Sequence, residues 1–234
     1  MGVNPINIKL KENLFNVEEK IEKSLLKVGR KDKVELIAVT KTQPIENVKS
    51  IIDLGVKNIG ENRVQELVQR VEEIGQVVDY HMIGHLQSNK VKDIIDNIRL
   101  LHSLDRMSLV KELNKRSKMR NKVIDVLIQV NVAEEMSKFG FKVSDVIPFI
   151  EQVVGYEHIR IKGLMTMAPF TDDELLLRKV FKTMYNLKED ISKRNYQHIS
   201  MEFLSMGMTN DYEIAIEEGS NMVRVGTGIF GERY

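Results

Sequence analysis

Leu36-Ile37-Ala38-Val39-Thr40-Lys41-Thr42-Gln43-Pro44 is a short apolar run that ends on a lysine and then on turn residues. The first four residues have the length and composition of a buried strand. Lys41 therefore stands at a strand tip. Desolvation by the strand's apolar flank would enlarge the neutral fraction of the amine, the form that attacks an aldehyde. Many strand-end lysines are simply solvated, so the rest of the chain must decide.

Outward from this stretch, short apolar runs alternate with amphipathic helical segments. Strands are predicted at residues 34–39, 57–59, 80–83, 100–102, 123–130, 159–164, 201–204 and 222–225. A leading helix is expected over residues 6–28, and helical spacing recurs at 45–52, 64–71, 91–95, 109–113, 146–153, 175–191 and 214–218. Eight strands separated by helices predict a single (β/α)8 TIM barrel with an extra N-terminal helix; periodicity alone also admits an open doubly wound sheet. With four prolines, scattered glycines and no low-complexity stretch, residues 1–234 read as one domain.

Composition narrows the function. The 234 residues carry 35 basic and 34 acidic side chains, a net charge of +1, so no global field draws the chain to nucleic acid or to an anionic membrane. A small-molecule partner is expected instead. The absence of cysteine removes disulfides, thiolate metal sites and thiol catalysis. No signal peptide or run of about 20 apolar residues is present, which predicts a cytoplasmic protein. The basic stretch of Lys111, Lys115, Arg116, Lys118, Arg120 and Lys122 lacks interleaved aromatics and reads as a solvated helix end.

Active sites of this barrel gather at the C-terminal ends of the strands, so those ends can be inspected as one group. They supply Thr40 and Lys41, Gly60-Glu61-Asn62, Gly84-His85, Ser103, Asn131, Met165-Thr166-Met167, Ser205-Met206-Gly207-Met208-Thr209 and Arg224-Val225-Gly226-Thr227-Gly228. No carboxylate pair, Ser-His-Asp set or ligand cluster emerges, which argues against hydrolysis and against a metal. The tips of strands 7 and 8, where barrels often bind phosphate, hold hydroxyls and glycines, with Asn210-Asp211 as a candidate cap for the next helix. Gly226, Gly228 and Gly231 match the spacing of a dinucleotide fingerprint, but only Glu232-Arg233-Tyr234 follow, so the long helix and second strand of that motif are missing.

Several ordered stretches carry a closer resemblance: Ala38-Val39-Thr40-Lys41-Thr42, Gly60-Glu61-Asn62-Arg63-Val64-Gln65-Glu66, and His81-Met82-Ile83-Gly84-His85-Leu86-Gln87-Ser88-Asn89-Lys90. They continue through Val130-Asn131-Val132, Ser137-Lys138-Phe139-Gly140, Gly163-Leu164-Met165-Thr166-Met167, Leu204-Ser205-Met206-Gly207-Met208 and Val223-Arg224-Val225-Gly226-Thr227 to Phe230-Gly231. Over nearly its whole length the chain resembles the pyridoxal phosphate homeostasis proteins, single-domain relatives of the alanine racemase barrel. The resemblance implies pyridoxal 5'-phosphate (PLP) as cofactor, held as a reversible aldimine on Lys41. It implies a phosphate cradle of Ser205, Gly226 and Thr227, Arg224 opposite the pyridine nitrogen, and Asn62 beside the ring, with Gly207 also among the cofactor-binding residues. His85 occupies a position where relatives carry histidine or proline, so a solvated or packed histidine is expected there.

The same resemblance implies a carrier or regulator of intracellular PLP with little or no catalysis. A cation at the pyridine nitrogen weakens the ring as an electron sink. Racemisation in the related enzymes uses a tyrosine from an extra C-terminal domain of a partner subunit, and this sequence stops ten residues after Arg224. The implied partners are PLP and apo-enzymes that accept it, and a monomer is expected. Two alternatives stay open: a PLP-dependent amino-acid racemase, and a lysine-dependent sugar-phosphate lyase. Met165, Met167, Met206 and Met208 are expected to pack beneath the cofactor, while the sequence leaves open whether Lys138 and the 134–141 loop gate its release.

Overall fold

The computed structural model describes residues 5–135 and 139–232. Eight parallel strands close into a barrel in the order β1 to β8, each paired with its sequence neighbours and β8 returning to β1. The strands are β1 (Glu35–Val39), β2 (Asn58–Glu61), β3 (Asp79–Met82), β4 (Ile98–Leu104), β5 (Ile124–Val130), β6 (Ile159–Thr166), β7 (Ile199–Ser205) and β8 (Met222–Val225). Closure settles the choice between barrel and open sheet. The helices are α1 (Pro5–Lys27), α2 (Ile45–Asp53), α3 (Val64–Ile74), α4 (Val91–Ile94), α5 (Met107–Met119), α6 (Val143–Val153), α7 (Glu174–Ser192), α8 (Tyr212–Glu217) and α9 (Thr227–Phe230). None of the described helices is long and apolar enough to cross a membrane.

Alternation along each strand divides the core into two layers. Ile37, Leu100, Leu127, Met165 and Met222 form one cluster inside the barrel, with Phe203 and Met167 packed against it. The intervening residues, such as Ala38, Leu101, Val126, Leu164, Leu204 and Val223, face outward and meet the helices. Helix α1 lies across α2, α8 and α9, burying Leu10, Leu14, Val17 and Ile21. It therefore covers the outer side of the β1–β8 seam.

Two local details bear on the site. The Cα of Val39 registers with Gly60, so Lys41 and Asn62, each two residues further on, stand at the same height on neighbouring strands. Gly84 follows β3 so closely that a Cβ there would lie 2.2 Å from the Asn62 carbonyl oxygen, which only a glycine permits. The basic stretch on α5 is solvated but not unpaired: Arg116 meets Glu112 at 2.6 Å, and Arg120 and Lys122 both meet Asp96, at 2.6 and 2.9 Å.

Candidate cofactor site at the barrel mouth

The C-terminal ends of β1, β6, β7 and β8 enclose a cavity of about 300 Å³, at the small end of the roughly 300–1,000 Å³ usual for ligand sites. Val39, Lys41 and Gln43 line it from β1, Ala168 to Thr171 from the loop after β6, Met208 to Asp211 after β7, and Arg224, Gly226, Thr227 and Gly231 from the end of the chain. Four of the residues expected at the site, Lys41, Arg224, Gly226 and Thr227, thus share one cavity.

Arg224 is 4% exposed. Its Nη1 donates to Ser205 Oγ at 2.6 Å and its Nη2 to the Thr166 carbonyl at 2.8 Å, both uncharged acceptors. Burial lowers its pKa to about 10, and the Asp211 carboxylate opposes that shift. A guanidinium so buried, whose acceptors among the described residues are neutral, leaves positive potential at the cavity floor. Asp211 is itself pushed up by burial, against the Met208 amide and the Arg224 charge.

The loops after β7 and β8 are stitched together. Thr227 Oγ1 lies 3.1 Å from Thr209 Oγ1, and the Gly228 amide donates to the same oxygen at 3.2 Å. A Cβ on Gly228 would approach Val225 Cγ1 to 2.8 Å, so this glycine lets α9 start directly above β8.

Three expected site residues do not line the cavity. Ser205 is fully buried and points into the barrel, because it shares the inward parity of Phe203; its hydroxyl is occupied by Arg224 and by His102 Nδ1 at 3.0 Å. It supports Arg224 from below. Gly207 has φ +94°, and a Cβ there would meet Ala215 Cβ and Tyr212 Cα at 2.7 Å, so it is glycine for packing against α8. Its carbonyl accepts from the Arg224 amide at 3.0 Å, joining the β7 loop to β8. Asn62 stands one strand away from Lys41, beyond the lining.

Asp211 also departs from expectation. It precedes α8, yet its carboxylate caps no amide of that helix and turns back to accept from the Met208 amide at 2.6 Å. It closes the β7 loop instead. The four methionines separate: Met165 lies inside the barrel with Met167 against its cluster, Met206 faces the outer helices, and Met208 reaches the cavity rim. His85 is a packed histidine, stacked on Phe139 with centroids 4.0 Å apart and 2.9 Å from Asp105. Ser137 and Lys138 lie outside the described residues.

The turn that carries Lys41 is fixed from outside the barrel. Glu61, outward on β2 and fully buried, accepts from Thr40 Oγ1 at 2.6 Å and from Arg70 Nε at 3.3 Å. Arg70 on α3 also donates to the carbonyls of Thr40 and Gln43, the two residues bracketing Lys41-Thr42. Thr42 adopts φ +61°, which a β-branched residue rarely does, and this clamp holds it there. Burial pushes Glu61 up to about 7, against the pull of Thr40 and Arg70.

The family model described as alanine racemase, N-terminal domain, matches residues 13–234. The pyridoxal phosphate homeostasis protein of Aquifex aeolicus is 38% identical over 95% of this chain and 97% of its own length. This chain belongs to the pyridoxal phosphate homeostasis protein family. The family member of Escherichia coli K12 is 34% identical over 94% of this chain and 95% of its own. Among solved structures, PipY of Synechococcus elongatus with PLP bound superposes with a TM-score of 0.83 at 26% identity, covering 95% of this chain and all of PipY.

Proposed function

We propose that this family member holds PLP reversibly and covalently through Lys41, as a carrier or regulator in intracellular PLP homeostasis with little or no catalysis. One observation carries the reading: a lysine amine and a buried guanidinium, whose acceptors among the described residues are neutral, line the same cavity of about 300 Å³. The donor set fits the cofactor, since it offers a nucleophilic amine, a fixed cation and a hydroxyl- and glycine-bearing loop for an anion. PLP supplies an aldehyde that condenses with amines and a ring that can withdraw electrons.

Within this reading Lys41 Nζ is the attachment point, Arg224 faces the pyridine nitrogen, and Gly226 and Thr227 border the phosphate. Asn62, one strand over, lies nearest the ring's hydroxyl side. Ser205 and Gly207 contribute by holding Arg224 rather than by touching phosphate.

Two features support a carrier over a racemase. Arg224 disfavours protonation of the ring nitrogen, which the electron sink requires. Among the described residues no tyrosine lines the cavity, so a second proton donor of that kind is missing from its wall. The protein is proposed to act in the cytoplasm as a monomer that passes PLP to apo-enzymes.

Titration of the purified protein with PLP, followed by absorbance and then by addition of L- and D-alanine, tests the proposal. A saturable yellow species is expected, with no interconversion of the two alanines at catalytic rates. Sustained racemisation would assign the protein to the enzymes, and no yellow species would remove PLP.

A further inference from the structure

The barrel interior holds two histidines that the cavity does not use. His81 on β3 and His102 on β4 are both fully buried. His81 Nδ1 lies 2.9 Å from His102 Nε2, His81 Nε2 lies 3.1 Å from Asn58 Oδ1, and His102 Nδ1 lies 3.0 Å from Ser205 Oγ. Asn58 Oδ1 also accepts from Arg99 Nη1 at 2.8 Å, and Arg99 makes a paired contact with Glu35 at 2.9 and 3.0 Å. A hydrogen-bonded chain therefore runs up the barrel axis from Glu35 at its base to Arg224 at the mouth.

The segment from Asn58 to Ser205 is flanked by two guanidinium groups, Arg99 and Arg224, and this fixes the direction of every link between them. Arg99 can only donate, so the Asn58 atom between it and His81 is oxygen, and His81 Nε2 must carry hydrogen. Burial disfavours the imidazolium, pushing His81 to about 3 and His102 well below its ordinary value, with Arg99 adding repulsion at both and Arg224 at His102. A neutral His81 leaves Nδ1 as acceptor, so His102 donates from Nε2 and accepts at Nδ1. Ser205 must then give its hydrogen to His102, which leaves its oxygen lone pairs for Arg224.

The geometry points to His102 and His81 as positioning residues of the cofactor site: neutral, tautomer-locked links that hold the Ser205 hydroxyl as an acceptor and so aim Arg224 at the cavity. The Asp211 charge acts on that guanidinium from the β7 loop, but among the described residues the guanidinium's hydrogen-bond acceptors, Ser205 and Thr166, include no carboxylate. The first one along the chain is Glu35, at the opposite end of the barrel and already paired with Arg99. A carboxylate at the Ser205 or His102 position would quench the charge that faces the ligand. The inference rests on the proposed function only for what occupies the cavity.

The test has two arms. In the ligand-free wild type, nitrogen NMR of the histidine rings at pH 7 should show His81 and His102 neutral with hydrogen on Nε2. Hydrogen on His102 Nδ1, or an imidazolium at either ring, would overturn the proposal. In the second arm, His102→Leu should weaken PLP binding about tenfold or more and displace the absorbance maximum of the bound cofactor. His102→Asn, which keeps an acceptor facing Ser205, should stay within about threefold of wild type. A folded leucine variant with wild-type affinity and spectrum would sink the positioning role. Should that variant fail to fold, the tautomers decide alone. A wild type that takes no PLP at all would defeat the proposed function while leaving the tautomer result to stand or fall separately.

Discussion

Arg224→Leu is expected to lower PLP affinity by about 30-fold or more while leaving the ligand-free protein close to wild-type stability or above it. The two effects have one cause. Arg224 is 4% exposed and its acceptors, Ser205 Oγ and the Thr166 carbonyl, are neutral, so the ligand-free protein bears the desolvation of a cation that the Asp211 charge offsets in part. Leucine removes that cost and occupies part of the same space. It also removes the charge that would meet the cofactor, and a charge-assisted contact in a buried site is worth on the order of 2 kcal/mol, about 30-fold in affinity. Urea unfolding of the ligand-free variant and an absorbance titration with PLP read the two quantities independently. A variant destabilised by several kcal/mol with unchanged affinity would make Arg224 a structural residue only.

Wild type is expected to lose stability between pH 5 and pH 8 relative to Glu61→Gln, by on the order of 2 kcal/mol. Burial raises the carboxyl of Glu61 from its ordinary value of 4.5 to about 7 in the folded protein. A raised carboxyl binds its proton more tightly folded than unfolded across that window, so folding is favoured while the proton is present. Stability falls as pH rises through it, because the unfolded chain releases the proton first. Glutamine cannot titrate and should show no such component. Urea unfolding of both ligand-free proteins at pH 5 and pH 8 gives the difference, and parallel pH profiles would place the Glu61 titration outside this range. The group matters for function because Arg70 ties Glu61 to the Thr40 and Gln43 carbonyls around Lys41.

Much of the barrel could be read from apolar runs, but strand ends could not where polar residues belong to the sheet. Residues 100–102 proved to be the middle of Ile98–Leu104, since Arg99 sits inside the strand as the base of the axial hydrogen-bond chain. Residues 201–204 extend to Ile199–Ser205 because the polar Ser200 and Ser205 belong to the strand, Ser200 donating to Glu202 and Ser205 accepting from Arg224. Of the site, Lys41, Arg224, Gly226 and Thr227 were legible because each stands at a strand tip, where barrel topology alone brings them together.

The orientation of Ser205 needs one further step of reading. Its position two residues after Phe203 puts it on the inward face, against Arg224 and outside the cavity lining. The same count of two along β4 places His102 inward after Leu100. That parity is the sequence signal that would have found the histidine, but its meeting with His81 depends on the register of β3 against β4, which shifts between Tyr80 and His81. Gly207 and Asp211 were unreadable for a different reason. The positive φ of Gly207 and the return of the Asp211 carboxylate to Met208 are set by how α8 packs on the β7 loop.

The central claim, that Lys41 holds the cofactor, is tested most directly by reducing the PLP-treated protein with borohydride and locating the modified residue by peptide mass, with Lys41→Ala run in parallel. The account predicts one stable pyridoxyl group on Lys41 and none anywhere in the variant. A modified lysine elsewhere with Lys41 untouched, or equal labelling of wild type and variant, would contradict it.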